Sequence, residues 1–173
     1  DFLRSPIKLA RITSRFSSSR FHPIHKIYRP HYGVDYAAPI GTPVQATADG
    51  EVTSAGREAG SGNIVRMRHK NAYQTAYLHL SRFGPGVRRG AVLRGGDVVG
   101  YVGSTGDSTG PHLDYRIYFH GSPVNPLGHK FKPADPLRKE FLEDYRKEAA
   151  RLGVALRLPE ILRAASLIPA VSF

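Results

Sequence analysis

The segment NIVRMRH, residues 63–69, places an apolar side chain at every second position. Val65 and Met67 fall on one face of such a segment, and Arg66 and Arg68 fall on the other. An alternation with a period of two is typical of a β-strand that buries one face and exposes the other. The segment therefore predicts a strand in a sheet with a hydrophobic side and a polar side.

A second segment, QTAYLHL at residues 74–80, alternates in the same way. Its pattern predicts that Ala76, Leu78 and Leu80 point inward and that His79 lies on the opposite face. Further strands are expected at residues 44–48, 97–103 and 114–119. Eighteen Gly and thirteen Pro separate these short runs. Many short alternating strands with Gly/Pro turns predict a mainly β fold, an antiparallel sheet protein of sandwich or barrel-like form.

The composition divides the chain into residues 1–132 and a helical C-terminal appendage, residues 133–173. The pair Asp-Pro at 135–136 is a good helix start, with Asp as the N-cap and Pro at the first helical position. Gly153 is expected to end this helix, and a second, weaker helix is predicted for residues 159–167. Spacings of four and three form one apolar stripe on the first helix, made of Leu137, Phe141, Tyr145, Ala149 and Leu152.

Length and composition exclude several classes of protein. The chain has 173 residues, 40% of them hydrophobic and 23% charged, which is the balance of a folded domain. It has no cysteine, which excludes disulfide scaffolds, thiol catalysis and cysteine zinc fingers. No apolar run reaches the roughly 18 residues that a membrane-spanning helix needs. The chain begins at Asp1 without a signal peptide, as expected for a mature or trimmed segment.

The charge is strongly basic, with 25 Lys and Arg against 14 Asp and Glu, a net charge of +11. A basic surface favours a polyanionic partner, such as nucleic acid, an anionic lipid surface or an acidic polymer of the cell envelope. Solubility alone is the competing interpretation. No segment matches a helix-turn-helix, a KH loop or an aromatic RNA-binding strand pair, so no specific nucleic-acid partner is expected.

One pair of residues has the spacing of a metal site. His31 and Asp35 are separated by three residues, and a chain turn at Gly33 would bring the imidazole and the carboxylate together. Both side chains are competent zinc ligands. This spacing occurs often by chance, so it carries weight only together with other residues.

A second pair lies in the strand candidate near residue 114. His112 and Asp114 are two residues apart, so they project from one face while Leu113 and Tyr115 point into the core. His79 is a further candidate, on the polar face of its own strand. The remaining histidines are interpreted as surface or hydrogen-bonded residues: His22, His25, His69, His120 and His129.

Taken in order, several segments resemble the lysostaphin-type (LytM-type) zinc endopeptidases of bacterial cell walls, across roughly residues 20–127. The segments are HYGVDYAAPIGTPVQATADGEV (31–52), GSGNIVRMRH (60–69), YLHLSRF (77–83), GDVVGYVGSTGDSTGPHLDYRI (96–117) and SPVNPL (122–127). The resemblance implies a grooved β domain with a duplicated hybrid motif, whose walls we expect at residues 16–28 and 103–110. It also implies peptidoglycan as substrate, other envelope proteins as partners, and a periplasmic or extracellular location, with an anchor in segments outside this chain.

The same resemblance implies roles for individual residues. The family's first two zinc ligands match His31 and Asp35, and its two catalytic histidines match His79 and His112. The third ligand is a histidine in the family, and here that position holds Asp114. The expected cofactor is Zn²⁺, and Mn²⁺ or another divalent ion is an alternative because two carboxylates make a harder site.

A second departure from the family follows Asp114, because the family's usual Glu two positions later is Arg116 here. Two functions remain open on this basis. In the first, Asp114 completes a working metallopeptidase site. In the second, Asp114 and Arg116 form an ion pair, and the domain has lost its metal and binds the cell wall or activates another wall hydrolase. A nucleic-acid or membrane-surface binder is a third and weaker class, since no dedicated module for it is present.

Overall fold

The computed structural model describes residues 2–3, 5–8, 10–21, 26–131 and 139–155 of the chain. The chain divides into two compact units, Asp1–Lys132 and Pro133–Phe173. In the described part of the first unit the strands are β1 Arg11–Ser14, β2 Ser17–Phe21, β3 Tyr28–His31, β4 Val34–Ala37, β5 Pro43–Gln45, β6 Gly50–Glu58, β7 Gly62–Arg68, β8 Tyr73–Leu80, β9 Arg82–Phe83, β10 Val92–Leu93, β11 Val98–Tyr101, β12 His112–Phe119 and β13 Ser122–Val124.

The main sheet has eight strands in the order β1-β4-β12-β8-β7-β6-β10, with β13 paired to β12. All of its pairings are antiparallel, which confirms the fold class expected from the alternating segments. Strand β12 lies near the centre, with β4 along its first half and β8 on the other side. This central position places Asp114 directly opposite Asp35 on β4 and Leu78 on β8.

A three-stranded sheet, β5-β11-β9, and a two-stranded ribbon, β2-β3, complete the first unit. The main core contains residues from both of the larger sheets, among them Val44 and Val99 from the small sheet and Val65 and Met67 from the main sheet. The fold is therefore sandwich-like, with one face of the main sheet covered by the small sheet. The burial of Val65 and Met67 confirms the face predicted for residues 63–69.

The faces of β8 differ from the prediction. Tyr77 and Leu80 lie in the main core, whereas Ala76 and Leu78 form a separate small cluster with Ile64. The predicted inward set of Ala76, Leu78 and Leu80 is therefore wrong. The alternation breaks because His79 has a φ of +62°, which turns the chain between Leu78 and Leu80.

The described part of the second unit is one helix, α1, Lys139–Ala155. The helix runs through Gly153, so the predicted stop at that residue is wrong; one glycine costs a helix only about 1 kcal/mol relative to alanine. The start predicted at 135–136 and the second helix predicted at 159–167 lie outside the described residues. Among the described residues, no helix is long and apolar enough to span a membrane.

Candidate metal centre and its flanking histidines

His31 lies at the end of β3 and is 5% exposed. Its Nδ1 donates to the backbone carbonyl of Arg15 at 3.1 Å and is 3.4 Å from the Ser14 hydroxyl. A carbonyl oxygen only accepts hydrogen bonds, so the proton of the neutral ring lies on Nδ1. The lone pair is then on Nε2, which is buried and has no hydrogen-bond partner among the described residues. His31 thus points the unshared lone pair of Nε2 into the site, where it can coordinate a metal ion.

Asp35 follows on β4, just after the turn at Gly33. Its Oδ2 accepts a hydrogen bond from Nη1 of Arg20 at 3.2 Å, and the same guanidinium nitrogen contacts the Ser14 hydroxyl. Its Oδ1 lies 3.0 Å from Nε2 of His31 but has no hydrogen-bond partner in the described part of the chain. Two buried acceptor atoms therefore face each other, an arrangement that a proton or a metal cation between them would stabilise.

Asp114 completes the group from the neighbouring strand β12. Its side chain is 4% exposed, and its Oδ2 lies 3.7 Å from Nε2 of His31. One ligand atom from each of His31, Asp35 and Asp114 falls within 4.8 Å of the other two. The structure thus brings together the three residues that the sequence proposed as a metal site.

Arg116 holds Asp114 from the same face of β12. Its Nη2 donates to Oδ2 at 2.6 Å, and its Nε lies 3.1 Å from Oδ2 and 3.2 Å from Oδ1. This is the ion pair that the sequence offered as an alternative to metal binding. The contacts with Asp114 are compatible with a ligand role, because a carboxylate oxygen accepts more than one interaction.

The charges in the site are strongly coupled. Burial lowers the pKa of His31, but contacts with the Asp114 and Asp35 carboxylates outweigh it and raise that pKa to about 9. Burial also opposes ionisation of Asp114, yet contacts with His31 and Arg116 hold the pKa of Asp114 well below its usual range. At neutral pH the metal-free site therefore keeps a proton on His31, and a cation that binds there displaces this proton.

The donor set fits a divalent metal ion. One imidazole nitrogen and two carboxylate oxygens are ligands for zinc, and the two oxygens also suit a harder ion such as manganese. The unpartnered Nε2 of His31 and Oδ1 of Asp35 are the atoms that a metal would satisfy. The Arg15 carbonyl accepts the hydrogen bond from Nδ1 of His31 and thereby fixes the orientation of the ring. Metal-binding histidines are commonly held in this way by a hydrogen bond from the ring nitrogen that does not bind the metal.

Two further histidines flank this group. His79 and His112 have ring centroids 4.8 Å apart. Nδ1 of His79 donates to the Thr105 carbonyl at 2.7 Å, and Nδ1 of His112 lies 2.8 Å from the Gly110 carbonyl. The proton of a neutral His79 ring is therefore on Nδ1, and its lone pair is on Nε2. Burial lowers the pKa of His79, and the neighbouring His112 adds to this effect, so His79 is neutral at pH 7.

Two cavities open at these residues. A small one of about 70 Å³ is lined by His31, Asp35, Asp114 and both flanking histidines. A larger one of about 370 Å³ adjoins Asp35 and His112. Both of the segments expected to form groove walls contribute lining residues to the larger cavity, including Arg20 from residues 16–28 and Thr109 from residues 103–110.

Sequence reasoning missed several residues of the site. Arg20 was not singled out, although it holds Asp35 and lines both cavities. Ser14 and the Arg15 carbonyl, which contact Nδ1 of His31, were also not expected. None of these contacts follows a local spacing, because each joins residues that are 15 to 17 positions apart in the chain. The pairing of Asp114 with Arg116, two residues apart on one strand, did have such a signal.

A β sandwich that carries a buried His/Asp/Asp group beside two histidines has the residue types of a hydrolase active site. The chain belongs to peptidase family M23, whose family model matches residues 29–126. It is 53% identical over 122 residues to the DD-carboxypeptidase/endopeptidase Mpg of Neisseria meningitidis serogroup B, a match that covers 70% of this chain and 27% of that protein. The chain therefore corresponds to about a quarter of the length of this relative.

Solved structures agree with this family. A zinc-containing peptidase from Vibrio cholerae superposes with a TM-score of 0.70 at 35% identity, over 76% of this chain and 40% of that one. The catalytic domain of the antimicrobial peptidase lysostaphin from Staphylococcus simulans superposes with a TM-score of 0.60 at 28% identity, over 68% of this chain and 90% of that domain. The lysostaphin-like fold expected from the sequence motifs is thereby confirmed.

Proposed function

We propose that residues 1–132 form a metal-dependent endopeptidase domain that hydrolyses peptide cross-links of peptidoglycan in the bacterial cell envelope. The observation that carries the proposal is the group of His31, Asp35 and Asp114, whose buried acceptor atoms lack partners and share a cavity with His79 and His112. Membership of family M23 supports a peptidase. The name of the Neisseria relative supports a DD-endopeptidase or carboxypeptidase activity.

In this proposal His31, Asp35 and Asp114 hold a zinc ion, with manganese or another divalent ion as a substitute. Such an ion supplies Lewis-acid chemistry, since it polarises a carbonyl oxygen and lowers the pKa of water. Arg20 positions the Asp35 carboxylate, and the Arg15 carbonyl orients the His31 ring. The residues 133–173 are proposed to be a separate appendage, and other cell-envelope proteins are proposed as partners.

We assign His79 as the group that accepts a proton from the attacking water. It is neutral at pH 7, and its Nε2 lone pair is free to act as a base because Nδ1 is engaged by the Thr105 carbonyl. His112 is assigned to the oxyanion that develops on the scissile carbonyl. Its Nδ1 faces the Gly110 carbonyl, so Nε2 is the ring nitrogen left to contact the substrate oxygen.

The test is digestion of purified, cross-linked peptidoglycan, with the products separated by liquid chromatography and identified by mass. The parent should release uncross-linked peptides, lose this activity in chelator and regain it with zinc. His79→Ala and His112→Ala should each lower turnover by roughly 100-fold or more and keep the metal content of the parent. His120→Ala, a change at an exposed histidine, is the matched control and should act like the parent. Full activity in the chelated protein would refute the proposal.

The Asp114–Arg116 ion pair favours a second candidate, a catalytically inactive domain that binds the wall or activates another hydrolase. This candidate predicts a parent that sediments with peptidoglycan, contains no metal and cleaves nothing. Elemental analysis of protein purified without chelator separates the two, because the peptidase requires close to one divalent ion per chain.

A further inference from the structure

The contacts of Arg116 and Arg20 with the two carboxylates differ in one respect. On Asp35, Arg20 uses Oδ2 and leaves Oδ1 to face Nε2 of His31. On Asp114, the same atom, Oδ2, accepts the shortest contact from Arg116 and also faces Nε2 of His31. Arg20 therefore leaves free the Asp35 oxygen that faces His31, which is Oδ1. Arg116, in contrast, donates to the Asp114 oxygen that faces His31, which is Oδ2.

The Asp114–Arg116 pair is also held firmly in place. The side chain of Asp114 is 4% exposed and that of Arg116 is 28% exposed, so water competes weakly for their contacts. Both side chains pack closely against Gly33 in the turn between His31 and Asp35. A Cβ atom at Gly33 would fall 2.0 Å from Oδ1 of Asp114 and 2.9 Å from Cγ of Arg116. The guanidinium thus has a fixed place beside the oxygen that a metal ion would use.

We propose that Arg116 competes with a divalent cation for Oδ2 of Asp114 and thereby lowers the metal affinity of the site. This inference rests on the proposed metal-dependent function and concerns how tightly the metal is held. The fixed positive charge of the guanidinium repels a doubly charged ion a few ångströms away, and its hydrogen bonds reduce the electron density that Asp114 offers to that ion. Arg116 is a positioning residue in this role, since it acts on the metal through Asp114.

The experiment measures zinc and manganese affinity by competition with a chromophoric chelator. In Arg116→Met, which keeps an unbranched apolar stem but removes the guanidinium and its charge, zinc should bind at least about tenfold more tightly than in the parent, in the range typical of outer contacts of metal ligands. Arg116→Lys keeps the charge and should stay close to the parent. The matched control is Arg66→Met, because Arg66 is another arginine of the main sheet whose ion pair, with Glu58, is more exposed.

A second set of variants tests whether the effect passes through Asp114. In an Asp114→Asn background, Arg116→Met should tighten zinc binding less than it does in the parent, because the competition for the carboxylate is gone and only the repulsion between the guanidinium and the cation remains. The visible spectrum of bound Co²⁺ should also change between the parent and Arg116→Met and remain the same in Arg66→Met. Circular dichroism in chelator checks that every variant is folded.

The outcomes separate this inference from the proposed function. Equal or weaker zinc binding by Arg116→Met overturns the inference, and the peptidase proposal survives if the parent cleaves peptidoglycan. Tighter binding by Arg116→Met supports the inference even if neither protein cleaves peptidoglycan, in which case the proposed function fails alone. If neither protein binds zinc, Arg116 is not what limits metal binding, and both proposals are wrong.

Discussion

Gly33 lies where the two halves of the candidate site meet, and Gly33→Ala is the sharpest structural test of that arrangement. A Cβ atom there would lie 2.0 Å from Oδ1 of Asp114 and 2.9 Å from the backbone oxygen of Tyr115. Ordinary contact begins near 3.4 Å. The carboxylate cannot retreat alone, because Arg116 holds both of its oxygens. The turn before β4 must therefore move away from β12.

The expected cost follows from this overlap. Forcing an extra carbon into a packed site costs about 1–3 kcal/mol, and the lower backbone entropy of unfolded alanine offsets about 0.4–1 kcal/mol of it. A net loss of about 1–2 kcal/mol lowers the urea midpoint by roughly 0.5–1 M at the slopes typical of small domains. The same movement separates Asp114 from His31 and Asp35, so zinc affinity should fall together with stability.

The assay is urea unfolding in chelator, followed by circular dichroism because the chain has no tryptophan, together with zinc competition on the folded protein. Gly56→Ala is the matched control, since a Cβ at Gly56 meets nothing within 4 Å and its backbone is not left-handed. If Gly33→Ala matched Gly56→Ala in urea midpoint and matched the parent in zinc affinity, the close approach of Asp114 to the turn would be refuted.

Three other changes have defined outcomes. In chelator, the parent should lose up to about 3 kcal/mol of stability as the pH rises from 6.5 through about 9. The pKa of His31 is raised in the folded state, so protonated His31 contributes its full stabilisation only below the pKa of the unfolded chain, near 6.5. Urea titrations of His31→Asn should lack this loss. Thr47→Val should cost about 1–3 kcal/mol in the same assay, since the hydroxyl it removes is 2.8 Å from the buried Tyr115 hydroxyl. Asp114→His combined with Arg116→Met should bind zinc more tightly than Asp114→His alone in chelator competition.

Period-two alternation was enough to predict β12 and its two faces. Leu113 and Tyr115 are buried in the core, and His112 and Asp114 line the small cavity together. The same rule failed on β8, where the left-handed backbone of His79 reverses the alternation after Leu78. A sequence pattern assumes a regular backbone, and a single residue with positive φ removes that assumption. The failure occurs at a residue of the candidate site, where backbone irregularities are often found.

The contacts around the candidate ligands were harder to predict than the ligands themselves. His31 and Asp35 follow a local spacing, and Asp114 follows from strand geometry. Arg20 holds Asp35 across a separation of 15 residues, and no local pattern predicts that a side chain of β2 reaches a residue of β4. Outer contacts of this kind depend on tertiary packing and on long flexible side chains, so a single sequence contains little information about them.

Asp114 and Arg116 have to be considered as one unit rather than as two separate departures from the family pattern. An ionised aspartate with a bound guanidinium has no net charge, as a neutral histidine has none, so Asp114 with its partner matches an imidazole at position 114 in formal charge, although the negative charge of the glutamate that the resemblance implies at position 116 is lost. The two arrangements still differ, because the guanidinium lies beside the ligand oxygen and can compete with a metal for it. Replacing Asp114 by histidine alone would leave Arg116 without its partner, close to both the new imidazole and the cation. The effect of a histidine ligand on zinc affinity is therefore measured in the double variant, Asp114→His with Arg116→Met, and not in Asp114→His alone.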